Sequence, residues 1–244
     1  MILKISLRNL LRQKRRNLLL GIGIAFGMCL LVLANAFSHG ISDILLNKMV
    51  VYMTGHMMVK MSARDARDEK EWPIIRDKER IKQIILDNVE SIDDIEENVQ
   101  ARARVLGNST AESSTLVGVE PDEELYQLIT VTKGNLRDLE NPNIDLPIAV
   151  YETMAEDLKV QVTDTIRARF QTVYGQMQTA KFTVVAIMKS NNPIMDLASA
   201  VRLDDLKSLM DYRDHETWYF SVVLKNLKRP DLVIEQADRL HEAF

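Results

Sequence analysis

The chain has 244 residues, 46% of them hydrophobic and 27% charged, enough for a leading segment plus one ordinary domain or two small lobes. Residues 1–42 hold Lys4, Arg8, Arg12, Lys14, Arg15 and Arg16 and no acid; taking these six from the 31 Lys and Arg leaves 25 against 35 Asp and Glu, a net of −10 for the body. An acidic body with no basic patch argues against nucleic acid as a partner, and the single cysteine, Cys29, excludes a disulfide framework and a cysteine-based metal site.

The first element in chain order is apolar. Leu18 to Phe37 gives 20 consecutive uncharged residues, and about 20 residues of helix span the ~30 Å hydrocarbon core of a bilayer. A signal-peptide core is shorter, about 7–15 residues. The alternative, a cleaved signal, has Ala34-Asn35-Ala36 in its favour, which has the form of a cleavage site. Against cleavage, Phe37, Ile41, Ile44, Leu45, Met49 and Tyr52 recur three to four residues apart, so an amphipathic stalk helix is expected to continue out of the membrane. The expected organisation is a basic cytoplasmic segment (1–17), a transmembrane helix (18–37), a stalk (38–52) and an exterior domain (53–244). The basic residues place the amino terminus in the cytoplasm and the body outside. Within the span, Gly23 and Gly27 lie four apart and leave a flat face on which another membrane helix can pack.

Beyond the stalk, short strands and helices alternate. MTGHMMVKM (53–61) reads as a strand, ARDARDEKEWP (63–73) as a charged loop, and DKERIKQIILDNVE (77–90) as a helix with Ile81, Ile84, Ile85 and Val89 on one face. VQARARVL (99–106) alternates with the period of a half-buried strand, and STLVGVEP (114–121) is a strand ending in a turn. LPIAV (146–150) precedes a helix, ETMAEDL (152–158). TIRARFQTV (165–173) and QTAKFTVVAIM (178–188) form a hairpin around Tyr174-Gly175. LDDLKSLM (203–210) reads as a helix, WYFSVVLK (218–225) as a strand, and PDLVIEQADRLHEAF (230–244) as a helix with proline at its first position. The fold class is α+β: one amino-terminal transmembrane helix with a stalk, then a ferredoxin-like lobe and a small β-rich exterior part.

Three stretches carry a family likeness. KISLRNLLRQKRRNLLLGIGIAFGMCLL, TGHMMVKM (54–61), and PIAVYETMAEDLKVQVTDTIRARF…AKFTVVAIMKSNNPIMD (147–196) occur in this order. Together the chain resembles the FtsX-like ABC-transporter permeases, which include the MacB and LolC/LolE types. It departs from that pattern at two backbone positions, with Thr163 and Ala186 where glycine is usual. The resemblance implies a non-enzymatic permease subunit of a bacterial inner membrane. Its implied partners are a separate cytoplasmic ABC ATPase, further permease helices or a second permease subunit, membrane lipid, and an amphiphilic substrate, with lipoprotein release favoured. The resemblance also implies that Lys4, Arg8, Arg12, Lys14, Arg15 and Arg16 lie along the inner membrane surface, where each cation near anionic lipid is worth about 1 kcal/mol.

No Walker loop, H-E-x-x-H or G-x-S-x-G is present, so no catalytic, cofactor-binding or metal-ligating residue is assigned. Of the four histidines, His56 is expected to pack or cap. Asp93-Asp94…Glu96-Glu97 and Asp122-Glu123-Glu124 read as solvated, turn-like acids. Met49, Met53, Met57, Met58 and Met61 cluster in sequence, and core packing is preferred over Cu(I) binding. A stand-alone anchored module that scaffolds or regulates an envelope enzyme is the alternative function.

Overall fold

A computed structural model describes residues 14–42, 55–64, 71–108, 110–120, 129–189, 195–225 and 230–243. The chain divides into two units, Met1–Thr54 and Gly55–Phe244. In the first, helix α1 runs Lys14–Ser42. Its stretch Leu18–Ser38 is long and apolar enough to cross a membrane, and none of it is covered by protein. Lys4, Arg8 and Arg12 lie outside the described residues, as do stalk residues 43–52.

The second unit holds two lobes. The smaller has strand β1 (Met57–Lys60), helix α2 (Lys78–Asn88) and strand β4 (Ile92–Asn98). Between β1 and α2, strands β2 (Ala63–Arg64) and β3 (Glu71–Trp72) pair with each other and pack Ala63 and Trp72 against the core of the larger lobe. After a long excursion come β12 (Tyr219–Leu224) and helix α5 (Pro230–Glu242). Strand order is β1-β12-β4, with β12 antiparallel to both neighbours. Two parallel strands joined by a helix, with a third strand between them, make a split β-α-β unit, so the ferredoxin-like expectation holds. The helices cover one face: Ile81 and Ile85 of α2 and Leu240 of α5 pack with Met57, Val59, Phe220 and Val222. Helix α2 starts where Asp77 accepts a hydrogen bond from the Arg80 N–H at 3.1 Å, relieving one of its orphan donors.

Two expectations change here. The charged loop 63–73 contains the short β2–β3 hairpin. The acids at 93–97 lie on strand β4, whose Asp94, Glu96 and Glu97 stand opposite Val223, Ser221 and Phe220.

The larger lobe is inserted between β4 and β12. Its strands are β5 (Gln100–Leu106), β6 (Ala111–Val119), β7 (Val131–Gly134), β8 (Pro147–Tyr151), β9 (Thr165–Gln171), β10 (Met177–Met188) and β11 (Ala198–Arg202). Helices α3 (Glu152–Leu158) and α4 (Leu203–Leu209) complete it. Sheet order is β7-β10-β8-β11-β6-β5-β9, and β9 also pairs with β10, so six strands close into a barrel with β7 appended. Closure depends on the length of β10: Met177 to Thr183 pairs with β9, and Thr183 to Met188 pairs with β8. The β-rich part is therefore the larger lobe rather than a small addition. Inward residues such as Ala103, Val105, Leu116, Ile166, Ala168, Phe170, Phe182 and Val184 make one core with Met154 and Leu158 of α3 and Leu206 of α4.

The family departures acquire physical meaning in this lobe. Ala186 sits at a register shift of β10 against β8, where the ladder is already irregular. Thr163 has φ +77°, in the left-handed region, which costs a non-glycine residue about 1–3 kcal/mol. Its N–H is held by Val184 O at 2.8 Å, so the turn cannot relax. Thr163→Gly should raise stability by about 1 kcal/mol after glycine's larger unfolded-state entropy is subtracted. A urea midpoint unchanged or lowered relative to wild type would refute that strain.

Candidate functional site

The candidate site is the junction where the chain passes between lobes. Only Val99 separates β4 from β5, and Thr217-Trp218 leads back into β12. Side chains tie the two crossings together. Asn98 Nδ2 donates to Ser221 Oγ at 3.0 Å, Gln100 Nε2 to the Tyr219 hydroxyl at 2.9 Å, and Thr217 Oγ1 to Asn98 O at 3.3 Å.

At its centre lies Glu97. Its Oε1 accepts from Lys207 Nζ of α4 at 2.5 Å and its Oε2 from Lys78 Nζ of α2 at 2.8 Å. Side-chain exposure is 7% for Lys207, 11% for Glu97 and 26% for Lys78. Lys207 also donates to Asp214 O at 3.1 Å, so both buried charges have partners. Desolvation pulls the Lys78 ammonium pKa down, but the Glu97 hydrogen bond and charge outweigh it and leave it raised. One carboxylate thus joins α2 of the small lobe to α4 of the barrel lobe. It was read as a solvated acid. What corrects that reading is Lys207, 110 positions away in sequence.

His56 opens the small lobe. Its N–H donates to Val222 O at 2.8 Å, and its Nδ1 accepts from the Leu224 N–H at 3.0 Å. It caps the edge of the β1–β12 pair, as expected. Accepting at Nδ1 requires the neutral ring, and burial lowers its pKa below 6.5. With the folded value below the unfolded one, this contribution is complete above about pH 6.5 and is lost as pH falls below it. The melting temperature should decline from pH 7 to 5, and His56→Asn, whose amide oxygen can replace Nδ1, should flatten that slope. An identical slope in the variant would exclude His56 as the source.

The remaining sequence-level candidates are placed as follows. Met57 is buried while its neighbour Met58 is 37% exposed, as alternation along a strand requires. Their sulfurs point to opposite faces, and Met61 packs against the small-lobe core. Among the described residues no cluster of His, Cys, Asp or Glu is arranged to hold a metal. On α1, a Cβ built at Gly23 or Gly27 meets nothing within 4 Å. Lys14, Arg15 and Arg16 form the first turn of α1, ahead of its apolar stretch Leu18–Ser38. Asp122-Glu123-Glu124, Met49 and Met53 lie outside the described residues. One composition-level reading is corrected: a basic patch does exist, because alternate residues of three strands, Arg102 and Arg104 of β5, Arg167 and Arg169 of β9 and Lys181 of β10, meet on the barrel wall.

The order of these parts is a split β-α-β lobe interrupted by a barrel-like insertion, preceded by an apolar helix. Residues 18–240 match the family of the MacB-like periplasmic core domain. The chain belongs to that family. This MacB-like core domain is similar to the extracellular domain of YknZ, a noncanonical ABC-type transporter from Gram-positive bacteria. That similarity has a TM-score of 0.47 at 14% identity, over 76% of this chain and 94% of that one. It is also similar to the periplasmic region of MacB from Actinobacillus actinomycetemcomitans, with a TM-score of 0.47 at 10% identity, over 82% and 88%. No curated protein matches the chain by sequence. Membership makes the MacB-like domain a component of ABC-transporter permease machinery, with an extracytoplasmic domain and an apolar helix fit to anchor it.

Proposed function

We propose that this chain is a permease subunit, or part of one, that couples a separate cytoplasmic ATPase to export or extraction of an amphiphilic substrate, lipoprotein release being the favoured case. In this reading residues 1–17 lie in the cytoplasm of a bacterial inner membrane, 18–37 cross it, 38–52 form a stalk and 53–244 work outside. Gly23 and Gly27 take further permease helices, and the amino-terminal cations rest on anionic lipid. The carrying observation is the junction at Glu97. A domain that is moved rather than catalytic needs lobes that shift as one body, and a buried carboxylate bridging α2 and α4 provides that stiffness.

The test is ATP-dependent cross-linking in the native membrane. A cysteine introduced at Arg15 should cross-link to an ABC ATPase, and nucleotide should change the yield. An unaltered loss-of-function phenotype when that ATPase is deleted, together with no ATPase adduct, would instead support an anchored scaffolding module.

A further inference from the structure

The outer wall of the barrel carries a charge pattern that the fold does not need. Strand β5 presents Arg102, Arg104 and Leu106 outward, β9 presents Arg167 and Arg169, and β10 presents Met177, Thr179 and Lys181; all are exposed, alternating with buried Ala103, Val105, Ala168, Phe170, Ala180 and Phe182. The register sets like charges side by side. Arg104 stands directly opposite Arg169, and Arg167 directly opposite Lys181, with Leu106 on its other side. Like charges facing each other across a sheet are destabilising. Among the described residues none of these five cations has a carboxylate within ion-pair distance. In a body of net charge −10, acids were available to neutralise them and are placed elsewhere.

We infer that this wall docks a separate protein that presents a carboxylate-rich surface. Four of the five cations are arginine, whose planar fork pairs with carboxylates two bonds at a time. Arginine and methionine are enriched in protein interfaces and lysine is depleted. A polyanion held by charge alone would be served equally by lysine, and would gain nothing from the two large apolar side chains here. Leu106 and Met177 are 43% and 57% exposed on the same wall, and they supply desolvated contact beside the charges.

The test uses the full chain in detergent micelles, with fluorescent poly-L-glutamate as the probe. Arg104→Gln/Arg169→Gln should weaken binding by about tenfold or more, and wild-type binding should fall steeply with salt. Lys133→Gln, an exposed site on β7, should leave it unchanged. The double variant should also melt at the same temperature or higher, because it removes repulsion. Equal binding by the variant, or a lowered melting temperature, overturns the inference. So does wild-type binding to inorganic polyphosphate or phosphatidylglycerol vesicles without binding to poly-L-glutamate. Arginine-dependent self-association would assign the wall to a second copy of this chain, and so overturn it too.

Discussion

Glu97→Ala is expected to lower the stability of the exterior domain by about 3–5 kcal/mol, the cost of leaving a buried charge without its partner. Lys207 would bear that cost. Its side chain is 7% exposed, and its other acceptor is Asp214 O, a neutral group that cannot offset a full charge. Lys78, at 26% exposure, can turn to water. Glu97→Gln should do less harm, since the amide oxygen still accepts one bond. The combination Glu97→Leu/Lys207→Met should recover much of the loss, because apolar pairs of similar volume often replace buried ion pairs at little cost. Urea unfolding followed separately by Trp72 and Trp218 fluorescence resolves the outcome. A Glu97→Ala penalty below about 1 kcal/mol would mean that the trio behaves as a surface salt bridge.

Gly134→Ala should cost about 3 kcal/mol, combining a left-handed residue at ~1–2 with overpacking at ~1–3. Gly134 has φ +80°, and a Cβ there would lie 2.1 Å from Val185 O and 3.0 Å from Val162 Cγ2. The obstacle on one side is backbone of β10, the strand that closes the barrel, so little can move. The neighbouring N–H of Asn135 donates to the same Val185 O at 3.2 Å, which pins the approach. A melting temperature within a degree or two of wild type would show that β7 can detach from β10 without loss.

The sequence made some elements readable and concealed others for identifiable reasons. QARARVL and TIRARFQ alternate cleanly because one face of each meets the barrel core. Helix α2 declares itself through Ile81, Ile84 and Ile85 and the Asp77 cap. IDDIEEN was unreadable as a strand: Ile92 and Ile95 are three apart, which breaks the period of two, and its acids suit the exposed side of an edge strand. Strands β7 and β11 have four and five residues, too few to carry a period. The junction was hidden because it joins residues brought together only by the insertion. The basic wall was hidden because its charges alternate with alanine, valine and phenylalanine and never form a run. The strain at Thr163 was visible only as a departure from a family habit.

The insertion also dictates an order of assembly. The small-lobe sheet has β12 in its middle, yet 120 residues, 99–218, lie between the end of β4 and the start of β12. During synthesis, β1, α2 and β4 emerge first, but β1 and β4 must wait for the strand that separates them. The barrel, whose strands are complete by residue 202, can close while they wait. Its closure brings residue 99 beside residue 217 and so removes most of the chain entropy of the last pairing. The folding rate of the small lobe should therefore be set by the barrel. A circular permutant that places β12 directly after β4 should free the small lobe to fold on its own clock.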